Sequence, residues 1–148
     1  MPQSLSSIYL HAVFSTKNRE PFLIDPIVRS QIHAYLAGVT NKLECPALEI
    51  GGVGDHVHVL ARFPRTITVA DWLKELKRVS SGFGKVRNPR FAWQSGYGVF
   101  SVDGSKLEPV VQYIRSQEEH HRKFSFVEEF RHLMRDYGTE WSEEYVWD

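Results

Sequence analysis

The segment His56-Val57-His58-Val59-Leu60-Ala61 constrains the fold more tightly than any other stretch of the chain. Side chains alternate across a β-strand, so Val57, Val59 and Ala61 share one face while His56 and His58 share the other. The valine face belongs in a core. The histidine face then needs a cover of its own. Two imidazoles at this spacing can grip one cation, each through one ring nitrogen. Taken alone, the pair also fits two partly exposed histidines on a half-wet strand.

The remaining pattern supplies the partners for such a strand. Residues 8–15 alternate, with Ile8, Leu10, Ala12 and Phe14 on one face and Tyr9, His11 and Val13 on the other. Residues 47–53 and 56–63 read as two strands joined through Gly51-Gly52-Val53-Gly54-Asp55, and residues 97–102 as a fourth. Asp25-Pro26 opens a helix, an N-cap followed by the residue best suited to the first helical position. Its apolar side is Ile27, Ile32, Tyr35, Leu36 and Val39. Thr68 or Asp71 caps a second helix through Trp72, Leu73, Leu76 and Val79 towards Gly82. The order βαββαβ predicts an α+β, ferredoxin-like antiparallel sheet with two helices on one face. Additional C-terminal helices follow, one from Asp103-Gly104-Ser105 to His121 and one over residues 124–137, with Phe126, Phe130, Leu133 and Met134 inward. No linker interrupts residues 1–148, which predicts a single domain.

Composition excludes several classes. An apolar share of 42% with 13% aromatics is too high for a disordered chain. No apolar run approaches the roughly 20 residues of a membrane-spanning helix, and the N-terminus lacks a secretory pattern. The lone Cys45 forbids an internal disulfide, which points to the cytoplasm, and beside Pro46 it reads as a small buried hydrophobe. The net charge of zero hides an uneven distribution. Residues 72–90 carry Lys74, Lys77, Arg78, Lys85, Arg87 and Arg90 against the single acid Glu75. Such a stripe meets phosphates, or merely solvates a helix face.

In the helix after Asp103, Leu107, Val110, Val111 and Ile114 form a core stripe, and Tyr113, Gln117 and His120 run beside it as an i, i+4, i+7 row. The helix starts through a Ser105–Glu108 capping box or with Pro109 at its first position; the tyrosine row is the same either way. A tyrosine beside a core stripe is ordinarily a packing residue. The combination is more specific than its parts. His56-Val57-His58, Trp93-Gln94-Ser95-Gly96-Tyr97, Phe100-Ser101-Val102, and Tyr113-Ile114 through Gln117 to His120-His121 follow one another in a distinctive order and spacing. In this the chain resembles the single-tyrosine HUH transposases of small bacterial insertion sequences, named for histidine, a bulky apolar residue, histidine. The likeness runs from His11 and the 17–19 segment to His121. Ser116 stands where that family often has Asn.

The resemblance implies a metal-assisted DNA-cleaving and strand-joining enzyme. Mg²⁺ or Mn²⁺ would be held by His56, His58 and Gln117, and Tyr113 would attack a scissile phosphate to form a 5′-phosphotyrosine. The implied partner is single-stranded DNA carrying a hairpin. Candidate DNA contacts are Lys17, Arg19, Arg62, Arg65, Lys74, Lys77, Arg78, Lys85 and His120, which would position the strand through its phosphates. His120 also reads as a metal neighbour. Trp72 and Trp93 read as core residues before base-stacking ones, and His121 as structural. The resemblance also implies a homodimer with composite sites, Tyr113 of one subunit meeting His56 and His58 of the other. Competing readings are a repurposed nickase associated with repetitive palindromes, a catalytically inactive hairpin-binding relative, and a metal phosphohydrolase using the histidine pair alone.

Overall fold

The structure is a computed structural model and describes residues 3–143. Its elements are β1 (Tyr9–Ser15), α1 (Pro26–Lys42), β2 (Ala47–Gly52), β3 (His56–Arg62), α2 (Val69–Arg87), β4 (Gly98–Val102), α3 (Leu107–Arg115), α4 (Gln117–His120) and α5 (Phe126–Asp136). The strands form one sheet in the order β2-β3-β1-β4, every neighbouring pair antiparallel. This is the α+β, ferredoxin-like arrangement expected. It makes β3, the histidine strand, an interior strand paired on both edges.

Local chemistry sets the helix starts. The Asp25 carboxylate accepts from the Ile27 amide at 2.9 Å with Pro26 in the first turn, and Thr68 Oγ1 accepts from the Asp71 amide at 3.1 Å. Thr68, not Asp71, is therefore the cap of α2. That helix runs beyond Gly82 to Arg87. On α1, Ile32 and Leu36 are buried while Ile27 is 70% exposed, so the apolar side is narrower than the pattern suggested.

Leu10, Ala12, Phe14, Val57, Val59 and Ala61 pack against Ile32, Leu36, Trp72, Leu73 and Leu76. Trp72 and Trp93 are buried, their indole N–H groups donating to Thr40 Oγ1 and Ser80 Oγ at 2.9 Å each. Cys45 is buried as well.

The second face of the sheet is also covered, by α3 and α5. Ile114 packs on Leu60 and Val102, while Phe126, Phe130, Leu133 and Met134 pack on Val13 and Phe100. Two glycines let these helices approach. A Cβ on Gly51 would lie 2.6 Å from the Ile114 carbonyl oxygen, and one on Gly98 would lie 2.7 Å from the Phe130 ring. Among the described residues no helix is long and apolar enough to cross a membrane.

The helix expected to run unbroken to His121 is divided. The Asp103 carboxylate accepts from the Ser105 amide at 2.8 Å in a 3-10 turn, and α3 begins at Leu107. Neither the Ser105–Glu108 capping box nor Pro109 in first position occurs; Glu108 accepts instead from Gln112 Nε2 at 2.8 Å. Ser116, with φ −91° and ψ 17°, separates α3 from α4, and its hydroxyl donates to the Tyr113 carbonyl at 3.1 Å.

Candidate active site

Strand alternation places His56 and His58 on the face that α3 and α5 cover, and both are fully buried. The break at Ser116 delivers Gln117 to the same spot. It is 1% exposed, with Oε1 3.0 Å from His56 Nε2. Tyr113, one turn earlier, packs edge-on against the His58 ring at 5.7 Å between centroids. The structure thus brings His56, His58, Tyr113 and Gln117 of one chain together.

The residue at the centre is one that the sequence pattern passed over. Glu129, on α5, is 3% exposed. Its Oε1 lies 3.2 Å from His56 Nε2, 3.1 Å from His58 Nε2 and 3.2 Å from His121 Nε2. Its Oε2 accepts from Gln117 Nε2 at 3.0 Å and from the Tyr113 hydroxyl, with His120 Nε2 3.4 Å away. A signal existed: Glu129 is the one acid within the apolar row Phe126, Phe130, Leu133, Met134. His121, read from the sequence as structural, also lies in the cluster.

A second layer orients the imidazoles. His56 Nδ1 lies 2.8 Å from the Asp55 carboxylate, and His58 Nδ1 lies 2.8 Å from Nε2 of the buried His11. Such partners fix ring orientation and tautomer in metal sites. Burial opposes charge on His56, yet the hydrogen bonds it donates to the Asp55 and Glu129 carboxylates prevail and push its pKa up to about 9. Burial, reinforced by His58, drops His11 to about 3. Burial also lowers His58 against the pull of Glu129, and burial and the Glu129 charge raise Tyr113. Glu129 itself pays a burial penalty, but the imidazoles of His121, His56 and His58 around it hold it well below the usual carboxylate range.

Converging Nε2 atoms, an amide oxygen and a carboxylate make a donor set that suits a divalent ion. His56, His121 and Glu129 present ligand atoms within 4.8 Å of one another. A cavity of about 660 Å³ lined by Tyr113, His120, Glu129 and Lys106 opens beside the tyrosine.

The cationic residues divide by position. Lys17 and Arg19 follow β1 at the His56 end of the sheet, since Ser15 pairs with His56. Arg62 and Arg65 lie at the other end, roughly 20 Å along β3 at about 3.3 Å per residue. Lys74, Lys77, Arg78 and Lys85 line a separate groove with Trp93 and Tyr97. Within it, Lys77 Nζ donates to the carbonyls of Gln94 and Gly96 at 2.9 and 2.8 Å, and Lys85 Nζ to Phe91 at 2.7 Å. Arg78 pairs with Glu75 at 2.8 Å, while Lys74 is exposed.

The model of one protein family, described as "Transposase IS200 like", matches residues 4–117. Among solved structures, a candidate transposase from Deinococcus radiodurans R1 aligns with a TM-score of 0.62 at 20% identity, covering 77% of this chain and 93% of that one. The structure of a REP-associated tyrosine transposase bound to a REP hairpin aligns with a TM-score of 0.61 at 12% identity, covering 80% of this chain and 71% of that one. At such identities the likeness establishes the fold. No curated protein matches the chain significantly.

Proposed function

Because this chain belongs to the IS200-like transposase family, we propose that it cleaves and rejoins single-stranded DNA at insertion-sequence ends, with Tyr113 as nucleophile. The observation that carries this reading is the single cluster formed by the Tyr113 hydroxyl, Gln117 and the Nε2 atoms of His56 and His58 around one carboxylate. His56, His58 and Gln117 would hold Mg²⁺ or Mn²⁺. When bound, such an ion supplies electrostatic stabilisation to a nonbridging phosphate oxygen as charge gathers there.

The chain's own residues do the rest. The Tyr113 oxygen attacks phosphorus, the bond to the departing 3′ oxygen breaks, and the products are a 5′-phosphotyrosine and a 3′-hydroxyl. The phenolic proton faces Glu129 Oε2, the acceptor already in place. Attack by a 3′-hydroxyl on the phosphotyrosine reverses the step and joins strands without an outside energy source, because the covalent link conserves the phosphodiester bond. The hairpin in the REP-bound structure supports hairpin DNA as the substrate form. Lys17 and Lys74 are exposed and free to meet phosphates, with Arg19 half-buried beside Lys17, and the site of action is the cytoplasm.

The proposal extends to a homodimer exchanging the α3–α4 segment, which presents Tyr113 and Gln117 to the partner's histidines. Adduct recovered in verified heterodimers of a His56→Ala, His58→Ala chain with a Tyr113→Phe chain identifies exchange; none recovered identifies sites built within each chain. The enzymatic reading itself is tested with end-labelled single-stranded hairpin DNA and Mn²⁺. Wild type should release a fragment ending in a 3′-hydroxyl, and equal release by Tyr113→Phe would remove the tyrosine from the mechanism.

A further inference from the structure

The cluster holds more metal-binding donors than the expected trio. His121 Nδ1 donates to the Phe124 carbonyl at 2.7 Å, which leaves the lone pair on Nε2. That Nε2 is buried without a hydrogen-bond partner, 3.2 Å from Glu129 Oε1. His56 repeats the pattern. Its Nδ1 faces the Asp55 carboxylate at 2.8 Å, so Nε2 is the atom turned towards Gln117 Oε1, 3.0 Å away, and Glu129 Oε1, 3.2 Å away, where a metal ion would replace its proton. His58 Nε2 converges on the same carboxylate oxygen at 3.1 Å. A buried carboxylate ringed by imidazole nitrogens calls for positive charge beside it, since buried anionic groups are tolerated only when paired or bound to metal. Protons on the imidazoles supply that charge in the metal-free protein, and a divalent ion held by the same nitrogens would supply it in their place.

We propose that Glu129 of α5 and His121 are direct ligands of the divalent ion beside His56 and His58, giving a site that prefers Mn²⁺ or a similar first-row transition ion to Mg²⁺. The inference rests on the transposase reading only in taking His56 and His58 as ligands. His121 and Glu129 lie beyond residues 4–117, the part that the family model matches. Imidazole nitrogens suit first-row transition ions, whereas Mg²⁺ takes oxygen donors and keeps its waters. Glu129 adds the negative charge that histidine and glutamine lack. It also makes α5 part of the site: Phe126 and Phe130, flanking Glu129, anchor it against the sheet.

The test uses the full chain and metal alone. Mn²⁺ and Mg²⁺ are titrated calorimetrically into wild type, Glu129→Gln and a His56→Ala, His58→Ala variant, and Co²⁺ absorption is recorded for wild type and His121→Gln. Outer partners of metal ligands are worth about 10–100-fold in affinity, so loss of a direct anionic ligand should cost at least about 100-fold. Wild type should bind Mn²⁺ more tightly than Mg²⁺, and the Co²⁺ band should shift in His121→Gln. Unchanged Mn²⁺ affinity in Glu129→Gln, beside loss in the double histidine variant, overturns the role of Glu129 and leaves the histidine site standing. An unchanged Co²⁺ spectrum removes His121, and equal Mg²⁺ and Mn²⁺ affinities overturn the preference. Absence of metal binding by wild type overturns both this inference and the metal-assisted reading. Should Glu129→Gln fail to fold by circular dichroism, His121→Gln alone decides.

Discussion

Stripped of metal, the protein should be most stable near neutral pH and weaken on either side, for reasons traceable to individual histidines. His56 is raised from 6.5 to about 9 by the Asp55 and Glu129 carboxylates, which outweigh its burial. A raised pKa contributes stability that is complete below the unfolded value of 6.5 and vanishes as pH climbs through 9. Integrating over pH 6.5 to 8 gives a loss of about 1.5 kcal/mol. His11 acts in the opposite sense. Burial lowers it from 6.5 to about 3, so its contribution is present above 6.5 and is lost as pH falls towards 3. The loss between pH 6.5 and 5 is again about 1.5 kcal/mol. Lys77, lowered by burial to about 8, adds stability with rising pH chiefly above 8, so the alkaline limb is best read below that point. The assay is urea unfolding in EDTA at pH 5, 6.5 and 8, with His56→Ala as control. His56→Ala should abolish the alkaline limb and keep the acid one. A wild-type stability that is flat from pH 6.5 to 8 would refute a charged His56 between Asp55 and Glu129.

Further perturbations separate packing from chemistry. Gly51→Ala drives a Cβ to 2.6 Å from the Ile114 carbonyl, so it should cost about 1–3 kcal/mol and weaken Mn²⁺ binding by displacing Gln117, whereas Gly38→Ala, with nothing within 4 Å, should leave metal affinity unchanged; thermal melts and calorimetry read both. Lys74→Ala should weaken hairpin binding and reduce the salt slope by about 0.7–0.9 if it meets one phosphate. Lys77→Met should lower thermal stability, because its ammonium holds the carbonyls of Gln94 and Gly96; an unchanged melt would show that this clip carries no weight.

What was legible in the sequence follows from the range of the interactions involved. The strand placing His56 and His58 on one face is a period-two pattern, and the Tyr113–Gln117 spacing is one helical turn, so both could be read from neighbours alone. The break at Ser116 could not. No glycine or proline marks it, and the partners that meet Gln117 and His121 beyond the break, His56 and Glu129, are distant in sequence. Glu129 was visible as an acid in an apolar stripe, but its histidine partners lie on β3 and beyond α4. That Lys77 and Lys85 turn their ammonium groups to backbone carbonyls could not be read either, because those carbonyls belong to the loop after α2. Long-range partners, not local propensity, decided each of these.

The central claim is that Tyr113 becomes covalently bound to DNA. Wild-type protein is incubated with Mn²⁺ and single-stranded hairpin DNA carrying the cleavage sequence, separated under denaturing conditions, digested with trypsin and mapped by mass spectrometry. The expected product is a nucleotide-modified peptide containing Tyr113, abolished in Tyr113→Phe while hairpin binding persists. A modified peptide carrying Tyr9 or Tyr97 instead, or strand cleavage that proceeds with no adduct at all, would contradict it.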